Sequence, residues 1–148
     1  MCAMAEIVKF SDAVNLGFHS MIYLSMHQDQ EIPLHDIAVA LRVSEAHLSK
    51  VLQRLRKVGL VLASRGPAGG YRLALKPSDI TFARIFEAIE GPITPQYCLF
   101  GSPVCMNSFC NMGSFIGHIN TEVKTFLEKT TLADLPVTGF QSPKPRAA

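Results

Sequence analysis

A mainly helical fold with one small β-hairpin is predicted by three features of the sequence. Apolar residues recur at helical spacing in several stretches. Two short β-branched and apolar runs flank a single Gly/Pro-rich turn. Only the tripeptide "RVS" separates two of the helical stretches.

The elements follow in order. "FSDAVNLGFHSMIYLSMH" (10–27) reads as a helix with Leu16, Met21 and Leu24 on its apolar face, and Ser11 or Asp12 can cap its start. "DQEIP" (29–33) breaks the pattern. "LHDIAVALRV" then places Leu34, Ile37, Ala38 and Leu41 on one stripe. Ser44 is a good N-cap for "EAHLSKVLQRLRKV". There Leu48, Val51, Leu52, Leu55 and Val58 are expected to face inward, and Gly59 to end the helix. The opposite side presents His47, Ser49, Lys50, Arg54 and Lys57, all able to reach phosphates or base edges.

"LVLAS" (60–64) and "YRLAL" (71–75) read as two strands joined by "RGPAGG", with Arg65 and Gly66 at the tip. Helix, helix, basic-tipped hairpin is the order of a winged helix-turn-helix. "PSDITFARIFEAIEGP" (77–92) is a further amphipathic helix, with Ser78 or Asp79 near its start and Ile80, Ile85, Phe86 and Ile89 packing. "GSFIGHINTEVKTFLEK" has Phe115, Ile116, Ile119, Val123, Phe126 and Leu127 at helical spacing. Following a complete winged-helix unit, this long C-terminal helix is a candidate dimer interface, with packing on its own domain as the alternative. The resulting organisation is a DNA-binding unit over 1–92, a cysteine loop over 93–112, a dimerisation helix over 113–135 and a disordered tail over 136–148.

Charge is concentrated. Residues 42–76 carry eight Lys/Arg against Glu45 alone, a net +7, while the remainder is net −5. Such an excess is the footprint of a polyanion-binding surface, or else a solvated helix face. A guanidinium on a glycine-rich tip suits a narrow minor groove. No stretch has the length of a membrane span, and "MCAMAEIVKFSD" lacks the pattern of a secretory signal, so a cytoplasmic protein is expected. No Gly-rich nucleotide loop or acid–base constellation suggests an enzyme.

Three of the four cysteines, Cys98, Cys105 and Cys110, fall in "CLFGSPVCMNSFC". In a reducing compartment such clustering points to metal binding or redox sensing rather than to structural disulfides. Thiolates are the soft ligands that iron–sulfur clusters prefer. Structural zinc is a competitor, although the usual C-x₂-C knuckle is absent, and a thiol switch needs only two of the three. A small electron-transfer protein is a further alternative, but it leaves the basic segment without a purpose. Cys2 stands apart from this group, at the terminus. His27 and His35 are surface residues near a turn.

The pieces "LSKVLQRLRKVGLV", "RGPAGGYRLA" and "EAIEGP", in that order, resemble the Rrf-two family of bacterial winged-helix regulators, over about residues 10–135. The resemblance implies a homodimer that binds a palindromic operator on double-stranded DNA, most often as a repressor. It also implies a cysteine loop holding an iron–sulfur cluster of two or four irons, followed by a long dimerisation helix. Carried over by position, Ser44, Ala46, His47, Ser49 and Lys50 fall where relatives touch DNA, and Arg65 on the wing arginine that enters the minor groove. Cys98, Cys105 and Cys110 fall on the cluster cysteines. Their spacing departs from the family's, with six and four intervening residues in place of five and five. Gly113 stands where some relatives place a histidine ligand, and Asn15 where the nitric-oxide-sensing type uses an aspartate. Asp12, His19, Glu6, Cys2 and His118 are nearby alternatives for a fourth ligand.

Overall fold

The computed structural model describes residues 8–98 and 110–136. Cys2, Glu6, Cys105 and residues 137–148 of the tail expected to be disordered lie outside the described residues. The order is α1 (Asp12–Ser25), α2 (Leu34–Leu41), α3 (Glu45–Lys57), β1 (Val61–Ala63), β2 (Tyr71–Leu73), a 3₁₀ turn (Pro77–Asp79), α4 (Phe82–Glu90), α5 (Asn111–Lys129) and a second 3₁₀ turn (Leu132–Asp134). This is a winged helix with a long C-terminal helix.

Local chemistry sets the boundaries. The Ser11 side chain accepts the Val14 N–H at 3.2 Å and caps α1. Ser44 does the same for α3, accepting from the His47 N–H at 3.2 Å. Between α2 and α3 the chain turns through Arg42, the one described non-glycine residue with positive φ, at 58°. α3 ends at Lys57, and Gly59 just beyond its cap, with a φ of 78°, reverses the chain. Val58 therefore leaves the inner stripe and is 48% exposed, in contrast to the inward position expected for it. Ser78 and Asp79 do not start α4. They lie in the 3₁₀ turn after Lys76, and Thr81 is the actual N-cap, accepting from the Arg84 N–H at 3.3 Å.

The two strands pair antiparallel, with Val61 opposite Leu73 and Ala63 opposite Tyr71. They are shorter than the runs predict, but Ile32 adds a bridge on the outer side of β2. Its N–H reaches the Tyr71 carbonyl at 2.9 Å and its carbonyl accepts the Tyr71 N–H at 2.8 Å. Glu31 accepts the Ser64 hydroxyl and lies 3.5 Å from Arg72. The segment before α2 thus braces the wing.

Among the described residues a hydrophobic core joins the five helices and the hairpin. Leu48, Leu52 and Leu55 of α3 meet Val14, Met21 and Leu24 of α1 and Ile85 and Ile89 of α4. Each such fully buried side chain is worth about 1.5–3 kcal/mol. Phe18 sits edge-on between Phe10 and Phe82, with centroids at 5.5 and 5.1 Å. Leu127 and Leu132 complete the same core, at 2% and 4% exposure. The backbone fixes this closure: the Phe82 N–H donates to the Thr130 carbonyl and the Leu132 N–H to the Ile80 carbonyl, both at 3.0 Å. The long helix therefore packs its C-terminal end onto its own domain. Met112, Phe115 and Phe126 remain at least half exposed.

Candidate nucleic-acid interface and cysteine loop

Burial of the Leu48–Val51–Leu52–Leu55 stripe turns the other side of α3 outward. Ala46, His47 and Lys50 are exposed there, and Ser49 is half-exposed. Ser44 is exposed at the start of the helix, its oxygen occupied by the cap. Arg65 and Gly66 are exposed on the wing turn. Arg54 is placed differently: its Nη1 donates to the Ile89 carbonyl at 3.0 Å, at the C-terminal end of α4.

The sequence reading missed two neighbours of this surface. Arg42, held at positive φ, lines a hollow of about 470 Å³ together with Asp12, Asn15, His19 and His47. His35, near the start of α2, places Nδ1 2.6 Å from Oε1 of Glu45, the first residue of α3. The hydrogen bond to Glu45 and the attraction of its carboxylate, with a smaller contribution from Asp36, raise the histidine above its ordinary value of 6.5. A raised folded-state value contributes stability below the unfolded value and loses it as pH rises through the folded one. His35 is therefore expected to titrate above 6.5, and Glu45→Gln to return it toward that value, by proton NMR of the imidazole. Glu45→Gln should lower the unfolding midpoint more at about pH 5.5 than near pH 9, where only the attraction of the carboxylate to the start of α3 is lost; an equal loss at both would remove the charged pair from the explanation.

Cys98 and Cys110, at the two ends of the cysteine run, are both described. Cys98, half-buried, lines a groove of about 590 Å³ with Phe10, Phe86, Glu90, Phe115 and Lys124. Cys110 is exposed and is the N-cap of α5, its Sγ accepting the Gly113 N–H at 3.3 Å. Among the described residues no three His, Cys, Asp or Glu side chains come together as a metal site. The described thiols nevertheless fit an iron–sulfur group by donor type, one at each end of the loop and one of them solvent-accessible at a helix N-terminus. Asp12, Asn15 and His19 lie along the exposed side of α1. The His19 imidazole bonds the Asn15 carbonyl at 2.6 Å.

Residues 10–137 match the Rrf-two family model, Rrf2, described as "Iron-dependent Transcriptional regulator". The regulator IscR of Aliivibrio salmonicida is 31% identical over 80% of this chain and 71% of its own length. Among solved structures, CymR (YrzC), the global cysteine regulator of B. subtilis, superposes with a TM-score of 0.74 at 32% identity, covering 86% of this chain and 95% of its own. IscR of T. potens gives a TM-score of 0.70 at 28% identity, covering 88% of each chain. No described helix is long and apolar enough to cross a membrane. On the family match and the winged-helix fold together, the chain belongs to the Rrf2 family of transcriptional regulators.

Proposed function

We propose that this regulator is a cytoplasmic homodimer that reads a palindromic operator, and that an iron–sulfur cluster held by Cys98, Cys105 and Cys110 controls its grip. The observation that carries the DNA-binding half is the capped helix α3, whose exposed Ala46, His47 and Lys50 lie opposite a fully buried stripe. Ser44, Ala46, His47, Ser49 and Lys50 contact the major groove. Arg65 enters the minor groove, where Gly66 lets the backbone approach. Dimerisation uses the apolar side of α5, where Phe115 and Phe126 are 56% and 58% exposed. It sets two copies of α3 about one DNA turn apart, roughly 34 Å.

The family's iron-dependent description and the IscR relatives support a cluster. When bound, it would supply a redox-active centre labile to oxygen, nitric oxide and iron shortage. Cys98 and Cys110 tie the loop to the groove and to the start of α5, so a change in their ligation bears on both. Protein purified without oxygen is expected to be brown and to carry iron and acid-labile sulfide, with operator affinity that changes when these are removed. A colourless protein holding zinc would sink the cluster.

A second reading keeps the fold and makes the thiols a direct switch. The exposure of Cys110 favours it, as does the likeness to CymR of Staphylococcus aureus, solved in an oxidized form. Peroxide-dependent loss of DNA binding without iron would select it.

Arg65→Ala is expected to weaken operator binding by about 1–3 kcal/mol and to flatten the salt dependence by about one charge. Unchanged affinity in a salt-matched titration would take the wing out of recognition.

A further inference from the structure

The last turn of α4 is held by α1, by α3 and by the segment that follows it. The Ile89 side chain lies against α1 so closely that a Cβ on Gly17 would meet its Cδ1 at 2.3 Å. The Ile89 carbonyl accepts Nη1 of Arg54 from α3 at 3.0 Å. The Glu90 carboxylate accepts the Ser11 hydroxyl. On the exit side the Ile93 N–H reaches Oε1 of Glu87 at 3.4 Å, and the chain then runs to Cys98. One helical turn is therefore clasped by the DNA-facing helix and is also the root of the cysteine loop.

We infer that Arg54 is a positioning residue that couples the state of the cysteine loop to the placement of α3, rather than a phosphate contact. The inference rests on the reading that the loop controls DNA binding. A guanidinium on the carbonyl end of a helix is a charge–dipole contact with fixed geometry. It is broken or kept as the turn rotates, which is the discrete behaviour a switch needs. An arginine committed only to phosphate would have no reason to donate to a backbone carbonyl 35 residues later in the chain.

The test measures operator affinity of the dimer in two forms, reconstituted anaerobically with iron and sulfide, and stripped by chelator. It is run for the wild type, Arg54→Gln and Arg54→Lys over a range of salt. Couplings of this kind are typically roughly 5–150-fold. Arg54→Gln is expected to bring the ratio of the two affinities to within about twofold of one, with iron content and salt slope kept. Arg54→Lys, which retains the charge and a donor, is expected to hold the ratio. Equal weakening of both forms with a salt slope lower by about one would make Arg54 a phosphate contact and overturn the inference. An unchanged ratio with only a lower unfolding midpoint would make it merely structural and overturn it too. A wild-type ratio of one would defeat the proposed function itself, and the coupling with it.

Discussion

Gly70→Ala is expected to detach the wing from the body and to lower stability by about 3 kcal/mol or more. A Cβ at this position would lie 2.5 Å from both the carbonyl carbon and the oxygen of Ile32, and 2.9 Å from its nitrogen. All three are backbone atoms, so no side chain can swing aside. Forcing them apart breaks the two Ile32–Tyr71 hydrogen bonds. Overpacking costs about 1–3 kcal/mol and each lost bond about 1 kcal/mol. For a chain of 148 residues that corresponds to a midpoint lower by roughly 6–12 °C, read by thermal unfolding. A shift under about 2 °C would show that the Ile32 bridge yields without cost. Operator affinity is expected to fall with it, because Arg65 sits on the turn that Gly70 closes.

Cys110→Ser and Cys110→Ala should both abolish stable iron and sulfide uptake, since neither side chain offers a thiolate. The pair separates two roles of one residue. Sγ of Cys110 accepts the Gly113 N–H at the start of α5, and a serine hydroxyl keeps that cap. Metal-free Cys110→Ser is therefore expected to unfold within about 0.5 kcal/mol of the wild type, and Cys110→Ala to lose about 0.5–1 kcal/mol. Iron and sulfide at wild-type levels in either variant would take Cys110 out of the ligand set. A large instability of the serine variant would mean that the thiol packs as well as caps.

The helix-turn-helix was legible because its information is local. Ser44 as a cap and the Leu48–Leu55 stripe are read from period and residue type, and the structure places them so. The start of α4 was not legible. Ser78, Asp79 and Thr81 are all good caps, and the choice falls to Thr81 beside the pairings of Ile80 and Phe82 with residues about fifty positions later. Ile32 in the wing and Arg54 on the Ile89 carbonyl are likewise long-range, and nothing in their neighbours' identities announces them. A basic residue on a helix beside other basic residues reads as part of the charged face whichever way it points. The cysteine loop is legible as a cluster of soft donors, and Cys98 and Cys110 take up its two ends.

The return of the chain after α5 limits how this protein can be taken apart. Leu127 and Leu132 fill the same interior as the reading helix, and Thr130 and Leu132 satisfy backbone groups at Ile80 and Phe82. A fragment ending at Gly91 would lose both. A chimaera that transplants the DNA-reading head onto another sensor must therefore carry residues 127–132 along, as a separate graft, or it will inherit an open seam.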